Sequence, residues 1–200
     1  SRTIDRKTYY NYPRAYKMID ELQPQAVIFS DGGPGCRWVG NEKGFAGATN
    51  WSFLRAGEVY PGYPNYRELQ YGHADGNQWV AAECDVSIRP GWFYHPEEDG
   101  RVKTVDELTD LYYRSVGHNA TLLLNFPVDR DGLIHPTDSA NTVNFHKNIQ
   151  KQLEKNLLAG LSPKASDERG KTSSAKAVTD GEYDTYWATN DDVTSATIEF

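Results

Sequence analysis

Apolar positions along this chain switch between two periods. Tyr12, Tyr16, Ile19 and Leu22 fall three and four apart, which is the spacing of one helix face. Asn11 stands ahead as a candidate cap, Pro13 sits in the first turn, and Pro24 ends the run. Ala26 to Ser30 follows after a very short link; its β-branched apolar content predicts a buried strand. Helix, tight link and buried strand make half of a βαβ unit, which calls for a parallel sheet covered by helices. Ala48–Leu54 reads as a short strand and Gln78–Asp85 as another buried one. Thr104-Val105-Asp106-Glu107 is a capping box opening a helix whose inner face is Leu108, Leu111, Tyr112 and Val116, stopped by Gly117. Ala120–Asn125 is predicted to be a fully buried strand. A last helix starts near Asp138, with Ile149, Leu153 and Leu157 at i, i+4 and i+8.

Between these elements the chemistry gathers where strands end. After Phe29, Gly32, Gly33, Pro34 and Gly35 forbid a regular continuation, so Ser30–Gly44 is expected to be one sharply turned loop. That loop carries Asp31, Arg37, Trp38, Asn41 and Glu42, a set suited to gripping one polar ligand with a flat apolar face. An acidic surface loop over a tucked Trp fits equally well. Arg55–Asn77, rich in Gly, Pro and Tyr, is longer than an ordinary connection and reads as a binding loop. Ile88–His95 again delivers aromatics and a cation just past a strand. In a parallel barrel that rim is where active sites gather; an open doubly wound sheet is the other architecture compatible with the pattern.

Composition narrows the field. Charged residues at 24% and hydrophobic ones at 38% of 200 residues describe a soluble globular protein. No apolar run approaches the roughly 20 residues of a membrane span, and no signal peptide opens the sequence. Ser1-Arg2-Thr3 reads as a cut within a longer protein. A net charge of −7 argues against a nucleic-acid partner. Thirteen Tyr and five Trp suit the stacking of rings on sugar faces, and equally suit ordinary cores. Cys36 and Cys84 form no CxxC pair and are expected as free, partly buried thiols. Gly32-Gly33-Pro34-Gly35 has the wrong spacing for a dinucleotide fingerprint or a P-loop, and no HExxH occurs. Asn50-Trp51-Ser52 and Asn119-Ala120-Thr121 match the glycosylation sequon, but both sit at strand starts and are read as accidents. From Leu158 the chain turns small and polar, and a second, all-β domain is expected from near residue 165, too short here to stand alone.

Three blocks carry a resemblance: Arg37-Trp38-Val39-Gly40-Asn41-Glu42 after Ala26-Val27-Ile28-Phe29; Arg89-Pro90-Gly91-Trp92-Phe93-Tyr94-His95; and Leu123-Leu124-Asn125-Phe126-Pro127 leading to Asp131-Gly132. Over residues 5–158 the chain resembles the α-L-fucosidases of glycoside hydrolase family 29, most of all the subgroup acting on α-1,3 and α-1,4 linked fucose. Asp180-Gly181 and Asp184-Thr185-Tyr186-Trp187 resemble the opening of a discoidin-like (coagulation factor 5/8 type C) carbohydrate-binding module. The resemblance implies an α/β fold: the second half of a (β/α)8, TIM-type barrel over 1–160, a linker over 161–172, and the start of a β-sandwich over 173–200. It implies retaining hydrolysis releasing terminal α-L-fucose, with Glu42 as the acid/base kept partly protonated under Trp38 or a bound sugar. Trp92 would pack on the fucose ring; a core Trp is the competing reading. Arg37 would orient a carboxylate or sugar hydroxyl, while Trp38, Trp51, Glu83 and Asp85 would line the substrate, with ordinary packing as the alternative for each.

The family's Asp nucleophile stands in a Trp-Phe-Asp-Gly-like motif that this sequence does not contain. The resemblance therefore makes the first half of the same barrel a partner, a fucosylated oligosaccharide the substrate, and this segment alone inactive. It implies no catalytic cofactor, a structural calcium at Asp180 and Asp184, and a secreted, periplasmic or cell-surface location. A non-catalytic carbohydrate-binding relative, a barrel glycosidase for another sugar, and an adhesion module working through its tail are the alternatives.

Overall fold

The computed structural model describes residues 4–200, so the reading of Ser1, Arg2 and Thr3 lies outside it. Ahead of the first strand come a single turn, α1 (Arg6–Tyr9), and the helix expected from its periodicity, α2 (Tyr12–Leu22). Asn11 does not cap α2 with its side chain; it takes the left-handed conformation instead, at φ 46°. The face of α2 expected to be buried is only half covered, and Leu22 is exposed.

Four parallel strands form the central sheet: β1 (Phe29–Ser30), β2 (Cys36–Trp38) and, beyond the antiparallel pair β3 (Phe53–Leu54) and β4 (Gln78–Trp79), β5 (Ala81–Ser87) and β6 (Ala120–Asn125). Their order is β1-β2-β5-β6. Two sequence expectations change here. The stretch read as one loop contains β2, paired Phe29↔Cys36 with β1 and Trp38↔Glu83 with β5. Glycines on both sides hid it, and its middle residue is an arginine. Gln78–Asp85 is broken at Val80, whose N–H leaves the ladder to reach the carbonyl of Ser52.

The faces of β5 differ sharply. Ala82 and Cys84 pack with Val39 and Ala46, whereas Val86 packs with Ile88, Val102, Leu108 and Leu111. Leu108 and Leu111 come from α3 (Val105–Ser115), whose capping box forms both of its hydrogen bonds. That helix closes through a short 3₁₀ turn to Asn119, left-handed at φ 59°, rather than at Gly117. On the opposite face, Ala81, Glu83 and Asp85 stand beside Thr121 and Leu123 of β6, and Leu123 is 49% exposed. β6 is therefore not fully buried. Nor is the predicted Ala26–Ser30 strand: only Phe29 and Ser30 pair, and Val27 is 73% exposed. The cause is the same for both, since β1 and β6 are the edges of this sheet and one sheet face is uncovered among the described residues. The last helix, α4 (Pro136–Leu153), begins near Asp138 as expected and ends before Leu157.

The chain divides into two compact units, Ser1–Ile149 and Gln150–Phe200. In the second, β7 (Lys164–Ala165) pairs antiparallel with β8 (Ile198–Glu199). Trp187 Nε1 donates to the carbonyl of Asp167, and Glu168 accepts from the Ala175 N–H. Residues 161–172, read as a linker, thus supply a strand and the groups that hold this unit together. Among the described residues no helix is long and apolar enough to cross a membrane.

Candidate active site

The C-terminal ends of β2, β5 and β6 meet at one rim. Trp38 ends β2, and the chain then turns at Gly40, where φ is +77° and an added Cβ would lie 2.0 Å from the carbonyl of Tyr66. Only glycine fits there, and this close crossing sets Tyr66 against the loop that follows. Asn41 shapes that loop by donating to the carbonyl of Phe45 and accepting from the Lys43 N–H. Glu42 comes next, and its Oε2 accepts from Trp92 Nε1 at 3.0 Å. Trp92 sits in the loop after β5, fifty residues away. Asn125, the last residue of β6, fixes that loop by donating to Ser87 Oγ and to the carbonyl of Trp92, both at 3.1 Å.

Beneath Trp92 lies a buried ion cluster. Arg89 donates from Nε and Nη2 to both oxygens of Asp138 at 2.8 and 2.9 Å, and from Nη1 to Asp99 at 2.9 Å. The Arg89 guanidinium also lies 4.7 Å over the Tyr94 ring. These acids hold the Arg89 guanidinium above its ordinary range, the Asp138 hydrogen bond contributing most. Asp138 itself is fully buried in the first turn of α4. A bidentate fork of this kind fixes orientation as well as distance, so the loop bearing Trp92 is clamped at its base.

Beside Glu42, Trp38 donates from Nε1 to Asp85 Oδ1 at 2.8 Å, and its ring stacks on Tyr66 with centroids 6.3 Å apart. Burial pushes the Asp85 carboxyl above the usual range, and the charge of Glu42 adds to the rise against the opposing Trp38 hydrogen bond. Glu83, two residues back on the same face, accepts from the Cys36 thiol. Both cysteines are free, as expected, and more deeply buried than expected; burial pushes the thiols to about 11 for Cys36 and about 12 for Cys84. Glu42 opens onto a cleft of ≈ 530 Å³ that runs from Trp38 past Tyr66 to Gln70. A carboxyl group held by an indole at the mouth of a cleft, with a second carboxyl nearby and an aromatic floor, can move a proton onto a sugar oxygen.

No protein-family profile matches the chain. It is 41% identical over 187 residues to α-L-fucosidase 1 of Arabidopsis thaliana, covering 90% of this chain and 36% of that protein. A solved structure from Bacteroides thetaiotaomicron assigned as an α-L-fucosidase is 44% identical with a TM-score of 0.82, over 94% of this chain and 42% of its own. The family 29 fucosidase E1_10125 of Ruminococcus gnavus, solved with fucose bound, is 31% identical with a TM-score of 0.78, over 94% and 40%. Its homologues are α-L-fucosidases. The chain spans about a third of the length of the curated relatives it matches. The fucosidase structures are TIM barrels followed by a β domain, and the parallel sheet with helices on its outer face is part of that α/β fold.

Against that fucosidase background, two expected site residues are elsewhere. Arg37 alternates with Cys36 and Trp38 on β2, so its side chain leaves by the opposite face and is wholly buried. It donates to the carbonyls of Leu69 at 3.1 Å and Val80 at 2.7 Å, and to Asn50 Oδ1. Burial lowers its guanidinium to about 10. Wholly buried, that fork is out of reach of a sugar. Trp51 lies at the wrong end of the sheet: its neighbour Asn50 donates to the carbonyls of His118 and Asn119, just before β6, and Ser52 bonds Val80 just before β5. The two sequon asparagines are thereby explained, since Asn119 in turn donates to the Asn50 carbonyl.

Asp180 and Asp184 were expected to hold a structural calcium. Both oxygens of Asp180 are engaged within its own turn, by the Glu182 N–H and the Thr185 hydroxyl. Among the described residues no three His, Cys, Asp or Glu side chains converge. Conversely, sequence reading missed Asn125, Arg89 and Asp138 as parts of the site. Asn125 ends a predicted strand and Arg89 follows one, so position alone flagged both; nothing local marked Asp138 as a buried partner.

Proposed function

We propose that this chain is the acid/base side of a retaining α-L-fucosidase, and that Glu42 protonates the departing glycosidic oxygen. The observation that carries the reading is the Glu42–Trp92 hydrogen bond at the C-terminal rim of a parallel sheet, in a chain whose homologues are α-L-fucosidases. The indole N–H fixes the carboxyl direction, while the ring, 36% exposed, offers a flat apolar face to the fucose. A carboxylate from outside these residues attacks the anomeric carbon as Glu42 gives up its proton, forming a fucosyl-enzyme. Glu42 then takes a proton from the water that releases fucose. Asp85 and Trp38 position the neighbouring wall. The proposal extends to α-1,3 and α-1,4 linked substrates, an exported location, and a discoidin-like carbohydrate-binding tail.

The test is Glu42→Gln in the complete enzyme carrying this chain. Turnover of an unactivated fucosyl oligosaccharide should fall roughly 10²- to 10⁴-fold. An aryl fucoside with an acidic leaving group should lose far less in its first step, and azide should restore rate by giving a fucosyl azide. Turnover of the oligosaccharide at the unsubstituted rate would remove Glu42 from the chemistry.

A further inference from the structure

We infer that the cleft beyond Glu42 takes a leaving saccharide bearing a carboxylate or sulfate group. The inference rests on the fucosidase reading: with fucose against Trp92, the group departing from Glu42 lies on its other side, in the cleft lined by Trp38, Lys43, Tyr66, Arg67 and Gln70. The stacked Trp38 and Tyr66 rings supply a surface for a sugar face, and Gln70 supplies donors and an acceptor for hydroxyls. Those features suit any saccharide. The charges do not. Among the described residues Arg55, Arg101, Arg114 and Arg169 each hold an acidic side chain, whereas neither Lys43 nor Arg67 has one. Two uncommitted cations therefore line one cleft of a chain whose net charge is −7. The one acid lining the same cleft is Glu42, so cations outnumber acids there two to one. The planar Arg67 fork fits the two oxygens of a carboxylate or sulfate.

The experiment compares three substrates on the complete enzyme: a neutral fucosylated oligosaccharide, the same oligosaccharide with a sulfate on the leaving sugar, and the same with a carboxylated leaving sugar. At low ionic strength kcat/KM should favour one or both anionic substrates roughly tenfold, at about three- to fivefold per exposed cation. Added salt should erode that preference. The sulfate and carboxylate arms identify which anion is used. Lys43→Met combined with Arg67→Met should bring the anionic-to-neutral ratio near unity, while Arg67→Lys should keep part of it. Equal turnover of all three substrates, or a ratio unchanged in the double variant, overturns the inference while leaving the fucosidase reading intact. Turnover of none of them overturns both.

Discussion

Arg37 is an arginine in mid-strand that serves the fold rather than a ligand. Its three nitrogens donate to two loop carbonyls and to Asn50 Oδ1, and so tie β2 to the segments before β3 and β5. Arg37→Met would leave those acceptors buried and unpaired, at about 1–3 kcal/mol for each group that finds no water. Denaturant unfolding of the complete enzyme should therefore show a loss of about 3 kcal/mol or more, with KM of any folded fraction unchanged. A raised KM without lost stability would return Arg37 to the substrate. Asp85 makes the opposite case, a polar group whose cost depends on pH. Because burial raises its folded-state pKa, the folded protein holds that proton more tightly than the unfolded chain does. Stability from this group is full below the ordinary aspartate value of about 4 and is lost as pH climbs through the raised value. Asp85→Asn keeps an acceptor for Trp38 and should flatten that part of the stability–pH curve; an unchanged curve would show that Asp85 does not titrate there.

Among elements, β2 and α4 are where the site is decided. β2 is three residues long, yet it throws Cys36 and Trp38 to the face of Glu83 and Arg37 to the face of Ala82. A slip of one residue would exchange them. The six parallel pairs between β5 and β6 hold the rim on its other side, and Asn125 carries that order into the Trp92 loop. α4 acts through one side chain. Asp138→Asn would leave Arg89 buried with half of its clamp, a change worth about 3–5 kcal/mol when a buried pair is broken. The expected result is lower stability together with a raised KM for fucosides, because the loop bearing Trp92 loses its base. Lost stability with KM untouched would make the clamp purely structural.

For the whole molecule, the open face matters most. Leu123, Thr121, Phe29 and Val27 stand exposed along a sheet whose other face packs on the core. A parallel sheet covered on one face only is not a stable arrangement in water, since its strands are apolar on both sides. Isolated, the 200 residues should bind a hydrophobic dye, unfold without a sharp transition and release no fucose. A cooperative unfolding transition and turnover of an aryl fucoside by the isolated piece would refute this. The positions of α2, α3 and α4 were legible because the 3.6-residue period and the Thr104–Glu107 cap are local signals. β2 was not legible, because its pairing partners are contributed by β1 and by β5, more than forty residues on. The face of Arg37 was hidden with it.

Read alone, the chain determines its alternation of strands and helices, the placing of Glu42 and Trp92 in loops that follow strands, and the absence of a second catalytic motif. Those are properties of spacing and residue type. Tertiary structure decided which side of each strand faces the rim, that Trp92 reaches Glu42 across fifty residues, and that a buried Arg37 and a half-buried Asn50 act as staples. Side-chain direction alternates with every residue of a strand, so it is fixed by register, and register is a long-range agreement that no short stretch contains.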